Sequence, residues 1–383
     1  MKRGICMILA AAVLFAMPLT AAAVEMEIGA KSALLMDIAT GTILYEQDAH
    51  ARLAPASVTK VMTMLLIMEA IDSGKIRWED MVTASEAAAA KGGSHVYLKV
   101  GESMRVEDMV KSIAVSSAND CACAMAEHIA GSESAFVERM NARAKELGMM
   151  DTHFVNCTGL DDGENAGEHL TSAYDIALMS RELLKNHPDI TKYTTIWMDT
   201  IREGAFGLSN TNKLIRFYAG ATGLKTGFTS KAGYCLSASA QREGLGLIAV
   251  VMGSETSQER FAACKSLLDY GFANFALFTP EVVEETVPVR LGRAASVAAV
   301  PAEETALLID KGQLSAVNVR TALDETVEAP VSRGQRLGEM TVYAGEQILA
   351  KVPMVARDGV ERLTWGELFV RFLKRGAMAK EGE

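Results

Sequence analysis

The chain is poor in the residues that build most metal and thiol sites. Its 383 residues include 6 histidines and 6 cysteines. His50, His95, His128, His153, His169 and His187 are scattered, and no HExxH sets two of them on one helix face. Each histidine reads as a surface residue or a satisfied core residue. A GxSxG elbow, a P-loop and a dinucleotide fingerprint are also lacking. No metal and no cofactor is expected. Positive charge is in the minority: the formal net charge is −10 and the pI near 5.3, which argues against a nucleic-acid partner. Long apolar runs are confined to Ile5–Leu19 and Val58–Ile71.

The first run follows Lys2 and Arg3 and precedes Ala21-Ala22-Ala23, an A-x-A-like cleavage site. This pattern reads as a secretory signal peptide over residues 1–23. The run is shorter than the ~20 residues that span a bilayer, which disfavours a transmembrane anchor. Cys6 lies too early for a lipid-anchor site. Cleavage leaves Cys121, Cys123, Cys157, Cys235 and Cys264, an odd set with at least one unpaired member. Cys121-Ala122-Cys123 is too tight for a CxxC metal pair. The five read as small apolar fillers, with a reactive thiol near Ser117 as the alternative.

What is present is a set of short motifs in order: Ser57-Val58-Thr59-Lys60, Ser117-Ala118-Asn119 and Lys225-Thr226-Gly227. Each is common alone; the order and the wide separations are not. Residues three apart share a helix face. Pro55 suits a first helical turn, the following run is mostly apolar, and Gly74 supplies a stop. A buried helix that points Ser57 and Lys60 the same way is predicted, with N–H groups at its start favouring developing negative charge.

A serine hydroxyl needs a base, and lysine serves only when neutral. Burial and a neighbouring cation both lower a lysine pKa, and Lys225 is the candidate second cation. Ser117 suits proton relay to a leaving amine, Asn119 suits a substrate amide, and Lys225 suits a carboxylate. The segment Thr222–Thr229 carries Gly223 and Gly227 and leads into the strand-like Tyr234–Ala238. A small, glycine-bearing edge lets a substrate backbone pair as an added strand.

The stretches Pro55–Lys60, Ser116–Asp120 and Gly223–Tyr234 closely resemble the D-alanyl-D-alanine carboxypeptidases, which are low-molecular-mass penicillin-binding proteins. The resemblance runs from about Glu25 to the C-terminal helix. It implies a serine acylated by a peptidoglycan stem peptide ending in D-Ala-D-Ala, departure of the terminal D-Ala, and hydrolysis. It also implies β-lactam antibiotics as acylating inhibitors. Carried over, Ser57 is the nucleophile, Lys60 the base and Ser117 the further catalytic residue. Asn119, Lys225, Thr226 and Gly227 hold substrate. The oxyanion hole uses the backbone N–H groups of Ser57 and Phe228. Some relatives carry histidine where this chain has Phe228, a change that a backbone donor survives. Arg260 resembles the family arginine that assists carboxylate binding.

Residues 25–278 mix strand and helix patterns, and the resemblance makes them the serine D,D-carboxypeptidase catalytic domain. A hairpin is expected at Ser32–Asp37 and Thr42–Tyr45, and helices over Val106–Ala130, Ser134–Leu147 and Ser172–Leu184. Strands Tyr234–Ala240 and Leu247–Met252 and a last helix, Ser257–Asn274, follow. The fold class is mixed α+β. The resemblance specifies a penicillin-binding-protein/β-lactamase-like transpeptidase domain, an antiparallel sheet with helices. Residues 279–363 alternate Val, Thr and Glu and read as a small all-β domain without catalytic residues. The resemblance makes it a spacer above the membrane.

In the tail, residues 364–383, Trp365, Leu368, Phe369, Phe372 and Leu373 form one apolar helix face, with Arg371, Lys374 and Arg375 near its border. Such a helix either packs on the β-domain or lies in a membrane interface; the basic flanks and the family's C-terminal anchor favour peripheral membrane contact. An exported protein at the outer face of the cytoplasmic membrane, in the cell-wall space, is expected.

Rival readings differ in chemistry. A class A β-lactamase needs a glutamate that activates water; Glu182-Leu183-Leu184-Lys185-Asn186 is the nearest stretch and is off pattern. A D,D-endopeptidase would use the same machinery on crosslinked peptidoglycan. A catalytically silent peptidoglycan or penicillin binder would not need the complete motif set.

Overall fold

A computed structural model describes residues 26, 28–162, 165–281, 284–303 and 305–378. The expected signal peptide and the end of the tail lie outside them. The chain divides into two compact units between Phe275 and Ala276.

The first unit is built on a sheet of five strands: β1 (Ser32–Asp37), β2 (Ile43–Gln47), β3 (Ala221–Thr229), β4 (Gly233–Arg242) and β5 (Leu245–Ser254). Their order is β2-β1-β5-β4-β3, and every pairing is antiparallel. β1 and β5 are buried along their whole length, because helices cover both faces of the sheet. Side chains of a strand alternate between faces. Leu34 and Met36 enter the main core cluster, while Leu35 meets the last helix of this unit on the opposite face. That helix comes close enough that a Cβ at Gly271 would lie 2.5 Å from Leu247.

Five helices complete the unit's frame: α1 (Lys60–Asp72), α2 (Val106–Ser116), α3 (Asn119–Ala130), α4 (Glu133–Glu146) and α5 (Ala173–Asn186); α6 (Ser257–Asn274) closes it. α1 is apolar around its circumference and is buried without a break from Lys60 to Met68. Side-chain caps start the later helices: Ser132 for α4, Ser172 for α5, and a Thr256–Glu259 capping box for α6.

Two expectations shift. Ser57 does not lie on the α-helix itself but on a 3-10 turn, Ala56–Thr59, that feeds it. The single helical pattern over Val106–Ala130 is two helices, broken where Ser117 takes a left-handed conformation (φ 63°, ψ 29°). Neither glycine nor proline marks that break.

The second unit has its own core of Val287, Val297, Leu337, Met340, Val352 and Met354. Its sheet contains β6 (Glu285–Arg290), β7 (Ser296–Pro301), β8 (Val317–Leu323), β9 (Val327–Glu328), β10 (Arg336–Ala344) and β11 (Gln347–Ala356), in the order β8-β10-β11-β7-β6-β9. Helix α7 (Trp365–Met378) follows. The mixed α+β catalytic fold and the all-β second fold are as the sequence leads one to expect.

Candidate active site

The three motifs, far apart in sequence, meet at one end of β3. The 3-10 turn offers a partly exposed Ser57, and Lys60, one turn on, is fully buried. Nζ of Lys60 lies 2.9 Å from Oγ of Ser57 and donates to the carbonyl of Thr158 at 2.8 Å. Burial lowers the Lys60 pKa to about 7, against the opposing pull of Cys157 and Asp120.

Lys225 on β3 is also buried, and its Nζ donates to the carbonyl of Thr226 at 2.8 Å. Burial holds its ammonium well below the usual lysine range, reinforced by Lys60 and then Arg260. Burial is the largest cause of the lowering for both lysines.

β3 is an edge strand, with no further strand paired on the side away from β4 among the described residues. Gly227 sits where this strand crosses the serine turn. A Cβ there would lie 2.6 Å from the Pro55 carbonyl and 3.1 Å from the Ser57 nitrogen. Only glycine allows that approach. Thr226 Oγ1 is 2.6 Å from Thr211 Oγ1. Phe228 leaves 52% of its surface exposed and stacks on Tyr234 with ring centroids 4.3 Å apart. Arg260 is committed more deeply than its expected role requires. It donates to the carbonyls of Gly227 at 3.0 Å and Cys235 at 3.2 Å, while its buried Nε has no partner among the described residues. Its contacts brace β3.

The second motif lies at the helix break. Ser117 is nearly buried in its left-handed conformation. Asn119, the first residue of α3, donates from Nδ2 to the Gly92 carbonyl at 2.7 Å, and its buried Oδ1 has no partner among the described residues. The atom left open is an acceptor.

Several supports were not singled out in the sequence. The Thr158 and Gly92 carbonyls are backbone atoms and carry no residue signal. Asp120, buried beside Asn119, accepts from the N–H groups of Val96, Leu98 and Cys121 and so ties the loop around Gly92–Val96 to α3. His169 contacts the serine turn through Thr59. Its only sequence signal was being a histidine ahead of a capped helix.

The five described cysteines are free and buried. Burial pushes the thiols of Cys121, Cys235 and Cys264 upward, and Cys157 rises through its contact with Cys123 and burial, so they suit filling better than nucleophilic attack. Glu182 accepts from Arg143 at 2.6 Å and from Asn186 at 2.9 Å, which commits it to an ion pair.

Comparison with known proteins gives a consistent picture. A family profile described as D-alanyl-D-alanine carboxypeptidase matches residues 19–256, and one described as the penicillin-binding protein 5 C-terminal domain matches residues 272–362. The chain is 42% identical over 353 residues to the D-alanyl-D-alanine carboxypeptidase DacF of Bacillus subtilis, covering 90% of this chain and 88% of that protein. It is 34% identical over 344 residues to DacA of Escherichia coli K12, covering 86% and 83%. Among solved structures it is similar to penicillin-binding protein 5 from Haemophilus influenzae, with a TM-score of 0.75, 32% identity, and coverage of 88% of this chain and 99% of that chain. Penicillin-binding protein D2 from Listeria monocytogenes, in its ampicillin-bound form, gives a TM-score of 0.59 and 31% identity, covering 65% of this chain and 100% of that one.

Proposed function

Because the chain belongs to the D-alanyl-D-alanine carboxypeptidase family, we propose that its reaction proceeds through an acyl-enzyme on Ser57. The protein is a serine peptidase that removes the terminal D-alanine from peptidoglycan stem peptides ending in D-Ala-D-Ala. The β-lactamase, endopeptidase and silent-binder readings are not favoured.

The observation that carries the assignment of the nucleophile is the 2.9 Å approach of a buried lysine to Ser57 Oγ. Neutral Lys60 takes the hydroxyl proton as Oγ attacks the carbonyl of the penultimate D-Ala. The oxyanion then sits between the N–H groups of Ser57 and Phe228, a site formed by the close crossing at Gly227. Collapse breaks the peptide bond, and the leaving amine takes a proton by way of Ser117. Water hydrolyses the ester and restores Ser57. The substrate pairs along the open edge of β3. Asn119 Oδ1 accepts an N–H of its backbone, and Lys225 and Thr226 receive its terminal carboxylate. That carboxylate draws a proton onto Lys225, offsetting the burial that disfavours the ammonium. Arg260 acts by holding β3. A β-lactam is opened by the same attack and stays on the serine.

The test uses labelled penicillin and a pentapeptide ending in D-Ala-D-Ala. Ser57→Ala is expected to lose both the adduct and D-Ala release. An adduct retained in that variant refutes the nucleophile.

The second unit and α7 are proposed to serve attachment. No helix among the described residues is long and apolar enough to cross a membrane. α7 instead leaves Trp365 90%, Phe369 63% and Leu373 54% exposed. Polar residues of the helix touch the β-domain: Arg371 donates to the Gly292 carbonyl at 3.1 Å, and Glu367 pairs with Arg293 at 3.2 Å. An apolar face turned outward fits a helix lying in a membrane interface, at the outer face of the cytoplasmic membrane after export.

A further inference from the structure

His169 takes no part in the steps above, yet it lies against the turn that carries the nucleophile. It is 3% exposed, and both ring nitrogens are bonded. Nδ1 accepts from the backbone N–H of Val155 at 3.1 Å. A neutral imidazole that accepts at Nδ1 carries its proton on Nε2. Nε2 lies 2.8 Å from Thr59 Oγ1, which donates onward to the Ala56 carbonyl at 2.9 Å. The direction of the whole chain is therefore fixed: Val155 N–H, imidazole, Thr59 hydroxyl, Ala56 carbonyl. Burial, with His153 and Lys231 adding to it, lowers the ring to about 4, so it is neutral wherever Lys60 is neutral.

Both ends of this chain matter to the reaction. Ala56 and Thr59 bound the turn that holds Ser57. Ala56 has φ +48°, a region an alanine rarely occupies without being held there. Gly159 crosses its carbonyl so closely that a Cβ would lie 1.8 Å away. Val155, at the other end, belongs to the stretch that carries Thr158 and its carbonyl to Lys60. The imidazole thus joins the strand of chain that holds the base to the turn that holds the nucleophile.

We propose that His169 is a positioning residue for acylation, its Nε2–H acting through the Thr59 hydroxyl to hold the turn that presents Ser57 to Lys60. This rests on Ser57 as the nucleophile. A residue that only fills space, against the Phe154 ring for instance, would affect folding and leave the acylation step alone.

The experiment follows acylation of the full chain by labelled penicillin and resolves half-saturation from the limiting rate. His169→Asn keeps a small polar group facing Val155 but does not reach Thr59. It is expected to slow the limiting rate about tenfold, the effect of one lost hydrogen bond to a catalytic turn, with half-saturation unchanged. His169→Gln places an amide N–H near the Nε2 position and recovers most of the loss. Thr59→Ala cuts the same link from the other side, so the double variant is no slower than the slower single one.

A parental rate in His169→Asn, equal rates for Asn and Gln, or losses that multiply in the double variant would each overturn the proposal. If His169→Asn does not fold, Thr59→Ala decides: a parental rate there rejects the link. Mapping the adduct separates the premises, since an adduct elsewhere than Ser57 removes the nucleophile itself, whereas unchanged rates with the adduct on Ser57 remove only His169.

Discussion

At the scale of single residues, the side chains proposed to react were the most legible in the sequence. Ser57, Lys60, Ser117 and Lys225 stand out because the roles proposed for them each call for a nucleophilic, basic or charged side chain. What sequence could not reveal were oxygens of the backbone, such as that of Thr158, which any residue provides. The structure gives Lys60 a pKa of about 7 through burial, and a sign follows from it. In the proposed mechanism the reactive form is the neutral one, so acylation is expected to rise with pH. Below pH 7 the limiting acylation rate is expected to fall about tenfold for each unit of pH, and above it to level off. A pH profile of penicillin acylation measures this. A rate that is flat from pH 5 to 8 would mean that Lys60 is not the base.

At the scale of elements, strands and long helices were legible from their patterning: β1, β4, β5 and α6 lie where periodicity put them. Irregular pieces were not. The 3-10 turn and the break at Ser117 each depend on a non-glycine residue in a left-handed conformation, Ala56 and Ser117, which tertiary contacts impose. Local sequence carries no sign of this. The crossing of β3 over the serine turn is similar, since nothing but contact with Pro55 and Ser57 explains why Gly227 has no side chain. Gly227→Ala would force backbone against backbone. Acylation is expected to fall by about a hundredfold, as for a displacement of about 1 Å at a reacting centre. Stability should drop by roughly 1–3 kcal/mol. Stopped-flow acylation and thermal unfolding read the two effects separately; a parental acylation rate would show that the turn can retreat without consequence.

At the scale of the whole molecule, the helix that ends the second unit carries a test of its own. Ending the chain after Arg362 removes α7 and is expected to abolish co-sedimentation with anionic vesicles while D-Ala release from a soluble peptide persists. High salt should weaken binding of the full chain only in part, because burial of Trp365 and Phe369 is not screened. Equal sedimentation of both forms would assign α7 to its own domain. Among the described residues, Lys60 and Lys225 bond to carbonyl and hydroxyl oxygens. Placing such groups out of water opposes folding. If these lysines have their proposed roles, activity is expected to come at some expense of melting temperature. An inactive Lys225→Met should melt higher than the parent, by about 2–4 °C for each kcal/mol recovered. A bound carboxylate ligand should raise the melting temperature of the parent and leave that of the variant nearly unmoved. Selection for a more thermostable enzyme of this kind would then meet resistance first at its lysines.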